Sequence, residues 1–346
     1  MKIGVLTGGG DCPGLNAVIR AIVRKSLQYG WENIGIENGW KGLVEIDTVP
    51  LDMNAVSGIL QKGGTILGTS RTNPYRIDNG EKIVFENAKK IGLDALVAIG
   101  GEDTLGVADK LSRKGFKVVG VPKTIDNDLS GTDYTFGFDT AVNIAMDAID
   151  RIHTTAESHK RVMIVEVMGR HAGWIAMHSG MAAGADIILI PEREIKLKEI
   201  LEVIKSRSER GRQFSIIAVA EGAKFSESDR ENSSFVLQDE KLDSFGHVRL
   251  GGIANVLAEM IEKKTGIETR ATILGHIQRG GSPTAYDRVL GTRFGVYSVE
   301  MIKNGKFGRM AAIHGTKIVD IPISEAVSVP KTVGDTFYNT AKVFFN

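Results

Sequence analysis

Lys123-Thr124-Ile125-Asp126-Asn127-Asp128 sets two carboxylates two residues apart, beside a lysine, on a segment that follows Pro122. Such a pair is a poor structural device. It suits a proton acceptor and a second group that positions charge, with a turn-forming Asp-Asn-Asp as the bland alternative. Gly100-Gly101-Glu102-Asp103-Thr104 joins a flexible turn to two carboxylates and a hydroxyl. Carboxylates near phosphate commonly act through Mg²⁺, which keeps several waters; the plain alternative is an acidic helix start. Gly8-Gly9-Gly10 with Gly14 permits tight turns and close approach of a phosphate to a helix start. Its register is neither G-x-x-x-x-G-K-[ST] nor G-x-G-x-x-G.

Cationic residues complete the set. Arg161 opens an apolar run, Arg170 ends Met168-Gly169-Arg170, and Arg270 precedes His276-Ile277-Gln278-Arg279-Gly280-Gly281-Ser282-Pro283. Guanidinium groups neutralise transferring phosphate and fork onto phosphate monoesters. Several anion-friendly turns beside acidic, metal-type turns point to phosphoryl transfer.

These turns need elements to hold them. Apolar runs at 2–7, 95–99, 118–121, 161–167, 187–190, 215–220 and 271–274 alternate with helix-length amphipathic segments. Such runs predict parallel sheets covered on both faces, an α/β fold. The glycine and acidic clusters follow the runs, where open α/β sheets bind ligands. The polar stretch 226–243 reads as a surface excursion.

With 346 residues the chain predicts about two domains. Lys plus Arg total 43 and Asp plus Glu 42, a net charge of +1, which provides no global field for nucleic acid or a membrane. The single cysteine, Cys12, forms no internal disulfide, and no Cys/His set has zinc spacing. The apolar runs fall far short of a membrane helix, and the first residues show no secretion signal, so a cytoplasmic protein is expected. Glycine is abundant, 41 residues, and its clustering after the apolar runs is the first clue to a site.

The ordered motifs Thr7 to Asn16, Gly100 to Thr104, Pro122 to Asp128, Glu166 to Arg170 and Gly275 to Pro283 resemble those of the 6-phosphofructokinases. The likeness spans residue 1 to about 300, and is greatest to the short pyrophosphate-dependent members. It implies two doubly wound parallel-sheet domains with the active site in the cleft between them. One would comprise 1–137 and 279–305, the other 138–278 and 306–346. It further implies Asp126 as the general base on the sugar 1-hydroxyl, Asp128 as its supporting carboxylate, and Thr124, Lys123 and Arg170 at the transferring phosphate. The donor would meet Gly10, Arg71, Gly101, Asp103 and Thr104, with Glu102 at the Mg²⁺ position, where the family usually has Asp. Fructose 6-phosphate would meet Thr124, Asp126, Met168, Gly169, Arg170, Glu221, His276 and Arg279, with Arg161 and Arg270 reaching it from a neighbouring subunit of a homodimer or homotetramer.

Two positions bear on the donor. ATP-using relatives generally carry glycine where this chain has Asp103, and many also where it has Lys123. A carboxylate there adds bulk and repels a nucleotide α-phosphate, so pyrophosphate is the expected donor and ATP the alternative. Arg20, Arg24 and Arg212 stand at positions of effector contacts in the bacterial ATP enzymes, but His153 and Met53 replace arginines, so nucleotide diphosphate regulation is expected to be weak or absent. A nicotinamide oxidoreductase would need the missing G-x-G-x-x-G register. Lipid and NAD kinases share only the Gly-Gly turn, and a non-catalytic sugar-phosphate sensor has no use for Asp126.

Overall fold

The computed structural model describes residues 1–229, 237–239 and 249–345. In chain order the strands are β1 (Lys2–Thr7), β2 (Glu32–Ile36), β3 (Thr48–Pro50), β4 (Ala95–Gly100), β5 (Val118–Pro122), β6 (Val162–Val167), β7 (Ile187–Leu189), β8 (Glu194–Ile195), β9 (Ser215–Ala220), β10 (Lys224–Phe225), β11 (Leu237–Asp239), β12 (Arg249–Leu250), β13 (Thr269–Ile273), β14 (Arg309–His314) and β15 (Lys317–Pro322). The helices are α1 (Leu15–Leu27), α2 (Trp40–Glu45), α3 (Gly80–Ile91), α4 (Glu102–Ser112), α5 (Phe138–His159), α6 (Trp174–Ala182), α7 (Leu197–Glu209), α8 (Ile253–Thr265), α9 (Ala285–Lys303), α10 (Ile323–Ala326) and α11 (Asp335–Lys342).

One sheet has seven strands in the order β15-β14-β5-β4-β1-β2-β3, and a second has four, β13-β6-β9-β7. The second is parallel throughout. The first is parallel only inside, because β3 and β15 pair antiparallel to β2 and β14 at its two edges. At these edges the chain returns beside the strand it has just left, through a two-residue turn between β14 and β15 and through a segment holding α2 between β2 and β3.

Side chains of β1 and β4 alternate between two buried layers. Ile3, Val5, Val97 and Ile99 face one layer and Leu6, Leu96 and Ala98 the other. In β6, Met163, Val165 and Val167 join the first of these layers, while Val162 and Ile164 face a third. A central core is therefore shared by the two sheets, which explains why their strands read as unbroken apolar runs. Helix α9 lies against α1, and glycine lets the backbones meet. A Cβ at Gly295 would stand 2.6 Å from Val18 O, and one at Gly291 3.2 Å from Gly14 O.

Strands β14 and β15 extend the first sheet beyond β5, with Arg309 opposite Val119. The expected assignment of all of 306–346 to the second unit is thereby corrected. Residues through β15 belong to the first sheet, whose strand β5 has a free edge for β14, and only α11 packs on α6. Of the excursion expected at 226–243, residues 226–229 form a turn in which Asp229 accepts from Leu197 N at 3.0 Å. Residues 230–236 and 240–243 lie outside the described residues.

Candidate active site

In the first sheet the chain leaves β1 toward β2 on one side and enters β4 and β5 on the other, so a topological switch falls between β1 and β4. Crevices form at such points outside the carboxyl ends of the strands. The Gly8–Gly10 and Gly100–Gly101 turns lie there. Their glycines answer to packing as much as to a ligand: a Cβ at Gly8 would stand 2.5 Å from Thr104 Oγ1, and one at Gly100 2.3 Å from Thr104 Cβ. The amides of Gly8 and Gly9 donate to Ile99 O and Ser70 O at 3.0 and 3.1 Å. The glycine run thus offers close approach rather than its first two N–H groups. Gly10 is a special case, since a Cβ there would stand 2.1 Å from Arg279 Nη1.

A small cavity of about 60 Å³ opens between these turns and the second unit. It is lined by Gly9, Gly10, Gly101, Glu102, Asp103, Thr104, Lys123, Thr124, Asp126, Asp128, Arg170 and Arg279. Helix α4 presents its amino end here, with Glu102 and Asp103 in its first turn. Lys123 is 4% exposed, its Nζ donates to Gly10 O, and burial holds its ammonium below the usual lysine range.

The loop 124–135 is fixed by its own polar groups. Asp126 N donates to Thr124 Oγ1 at 3.0 Å, and Thr135 Oγ1 donates to Thr124 O at 2.7 Å. Asn127 adopts φ of 51° in the left-handed region and accepts from Thr135 N at 3.0 Å, a conformation asparagine tolerates better than most residues. So fixed, Asp126 is 5% exposed and its Oδ1 has no hydrogen-bond partner. A buried acceptor left in this state costs about 1–3 kcal/mol, more for a charged group. Burial, and next to it the charge of Asp126, push the Asp128 carboxyl up to about 7.

Arg170 reaches the cavity from the turn after β6, itself at φ of 50°. Its backbone is clamped: Arg170 N donates to Glu221 Oε1 at 3.2 Å, and a Cβ at Gly222 would stand 1.7 Å from Arg170 O. Glu221 thus supports the arginine turn from behind, and burial, then Asp126, push its carboxyl up to about 7. Arg279 crosses from the other side toward Asp11 O at 3.4 Å. Cys12 is fully buried against Gly137, and burial pushes its thiol up to about 12, in keeping with a packing residue.

Not every residue singled out in the sequence lines this cavity. Met168 is buried, with its N–H donating to Gln278 Oε1 at 3.3 Å, and His276 is exposed on the following 3₁₀ turn. Gly169 (φ 145°) shapes the same turn, and Arg71 is exposed beyond the lining. Arg161 and Arg270 stand apart, both paired with Glu268, at 2.6 and 2.5 Å. Gln278, wholly buried and bridging Met168 N to Gly275 O, and Asn127 were not anticipated as functional supports. The one signal for Asn127 was an asparagine between two aspartates after a strand.

Glycine turns at a helix start, an unpartnered buried carboxylate and cations converging from two sheets define a phosphotransferase-type site. Residues 2–302 match the model described as phosphofructokinase, and the chain belongs to that family. It is 58% identical, over the whole of both chains, to pyrophosphate–fructose 6-phosphate 1-phosphotransferase of Streptomyces coelicolor. It is also 51% identical, over 99% of both chains, to ATP-dependent 6-phosphofructokinase 3 of the same organism. Among solved structures, phosphofructokinase from Saccharomyces cerevisiae superposes with a TM-score of 0.82 at 32% identity, over 99% of this chain and 46% of the longer yeast chain.

Proposed function

We propose that the chain transfers a phosphoryl group from pyrophosphate to the 1-hydroxyl of fructose 6-phosphate, giving fructose 1,6-bisphosphate and phosphate. The reaction is a reversible step of glycolysis and gluconeogenesis. The observation that carries this reading is Asp126: a buried carboxylate with one unpartnered oxygen, in a cavity walled by Lys123, Arg170 and Arg279. Phosphoryl transfer asks for positioning, charge neutralisation and a base that orients the nucleophile, and this set supplies each. Asp126 accepts the hydroxyl proton as the sugar oxygen bonds to phosphorus and the bridging P–O bond of the donor breaks. Lys123, Arg170 and Thr124 attend the transferring group, and Asp128 supports the base. The sugar phosphate occupies the side of Met168, Gly169, Glu221, His276 and Arg279. Arg161 and Arg270 serve the 6-phosphate in a neighbouring subunit's site, within a homodimer or homotetramer.

The donor lies along Gly10, Gly101, Asp103 and Thr104, with Arg71 at the margin. Among the described residues no three His, Cys, Asp or Glu side chains stand close enough to hold a metal by themselves. The carboxylates around the cavity suit a hard cation that keeps its waters and takes phosphate oxygens. Mg²⁺ would be held by Glu102 together with the donor, and when bound it neutralises donor charge. Among the described residues no helix is long and apolar enough to cross a membrane, and the proposed location is the cytoplasm.

Support for pyrophosphate over ATP comes from Asp103, which lines the cavity and would set a carboxylate against the α-phosphate of a nucleotide donor. At 4 Å a like charge costs about 4 kcal/mol at an effective dielectric of 20. The similarity to an ATP-dependent relative keeps ATP as the second reading. Fructose 1,6-bisphosphate formation with Mg²⁺, measured with each donor at equal concentration, separates the two. Strong ATP activity would overturn the donor assignment, and activity with neither would overturn the reaction.

A further inference from the structure

Helix α9 opens with Thr284-Ala285-Tyr286-Asp287, the sequence of a self-contained capping box. In such a box the residue three places into the helix returns its carboxylate to the N–H of the capping residue. Here it does not. Asp287 is wholly buried, and its Oδ2 instead accepts from Thr140 N at 2.8 Å and Thr140 Oγ1 at 2.5 Å, at the start of α5. The Thr140 hydroxyl in turn accepts from Thr284 N at 3.1 Å, filling the place that Asp287 has left. Thr284 Oγ1 accepts from Asp287 N at 3.3 Å and donates to Asp139 Oδ2 at 2.6 Å. Half of the box is opened across two helices: Thr284 still caps α9 from within, while the Asp287 carboxylate accepts from the first turn of α5 and the Thr140 hydroxyl takes the Thr284 N–H in its stead.

The two helices belong to different units. Helix α5 packs on α6, β6 and β9, whereas α9 packs on α1, β5 and β14. The clasp therefore ties one sheet to the other at the point where both helices leave the cleft. Helix α5 is the direct continuation of the loop that carries Asp126, and α9 of the loop that carries Arg279. The turn after β1 rests on the same place, since a Cβ at Gly14 would meet the Phe136 ring at 2.8 Å and Asp287 O at 3.6 Å. Three site loops thus abut one polar cluster that touches none of the cavity.

We propose that Thr140 and Asp287 are positioning residues, whose reciprocal capping sets the placement of the Asp126 loop against the Arg279 loop. The Thr140 hydroxyl is the atom on which this depends, because it both donates to Asp287 and accepts from Thr284. Misplacement of reacting groups by about 1 Å costs on the order of a hundredfold in rate. The activity readout rests on the phosphofructokinase reading above, so the test carries a second readout that does not.

Thr140→Val keeps shape and removes the hydroxyl; Thr140→Ser keeps the hydroxyl. Steady-state kinetics and amide hydrogen exchange on the full-length chain compare both with the parent protein. The expected result for Thr140→Val is a kcat lowered about tenfold or more, with KM for both substrates nearly unchanged. Exchange should quicken at 126–136 and 276–284 and not in the strands, and Thr140→Ser should restore both measures. If Thr140→Val does not fold, Thr284→Ala removes the Asp139 link together with the α9 cap and should show a smaller change of the same pattern. Parental kcat and exchange in Thr140→Val would overturn the proposal. So would exchange that quickens evenly over both sheets, with kcat falling only as stability falls. An inactive parent protein would sink the reaction proposed above while leaving the exchange result to judge the clasp.

Discussion

In the cleft, Asp126 keeps a buried oxygen without a partner, and Lys123 lies buried against a single backbone carbonyl. On the outer edge of the second sheet, Arg161 and Arg270 share Glu268 and remain partly in water, with Glu262 a further 3.3 Å from Arg270. The outer charges are satisfied within the chain, and such exposed pairs contribute about 0–1 kcal/mol each. If they serve a sugar phosphate as proposed, carboxylate would give way to phosphate at little cost to the fold. The inner charges are held in place by the surrounding loops, at a cost those loops offset, because removing a buried charge's partner is strongly destabilising. An unpartnered buried atom is not by itself a ligand mark, since Asp287 Oδ1 and Glu192 Oε2 share that state outside the cavity. What sets Asp126 apart is that its oxygen lines a cavity with Lys123, Arg170 and Arg279.

Substitutions in the two regions should differ accordingly. Asp126→Asn is expected to lower kcat by about 10²–10⁴ without lowering thermal stability, since the buried Oδ1 makes no hydrogen bond that the amide would lose. A kcat within a few fold of the parent's would deny Asp126 the role of base. Asp103→Gly should raise the ATP-to-pyrophosphate activity ratio by about a hundredfold or more, given the repulsion it relieves; an unchanged ratio would remove Asp103 from donor choice. On the outer patch, Arg161→Ala or Arg270→Ala should raise KM for the sugar phosphate by about tenfold, the loss of one charge-assisted contact, with kcat little changed. A fall in kcat with no change in KM would place these arginines outside substrate binding.

The smallest effect concerns pH. Burial first, and then the charge of Asp126, push the Glu221 carboxyl up from an ordinary 4.5 to about 7. Between those values the folded chain binds more protons than the unfolded one, so this carboxyl lowers stability as pH rises through the window. Glu221→Gln should melt higher than the parent at pH 8, with the difference vanishing toward pH 4.5. A gain of equal size at both pH values would mean that the carboxyl's charge is not the cause.

The strands at 2–7, 95–100, 118–122, 162–167 and 215–220 were legible because burial on both faces leaves continuous apolar runs. The outer strands were not. β3 is three residues long, and β15 interrupts its apolar residues with Lys317 and Asp320 and is mostly half-buried, so it leaves no continuous apolar run. The turns at 8–10, 100–104 and 123–128 were likewise readable, since glycine, paired carboxylates and lysine have few other reasons to follow strands. Glu221 and Gln278 gave no such signal as supports, because their partners are backbone groups 51 and 110 residues away.

Residue type and local period were enough to mark the turns at 8–10, 100–104 and 123–128 and the strands that lead into them. Tertiary structure alone decided which charges stay unpaired, and it turned the box at Thr284–Asp287 outward to Thr140. The physical reason is the same in each case: a hydrogen bond goes to whichever partner packing brings within 3 Å, and sequence separation says nothing about that distance.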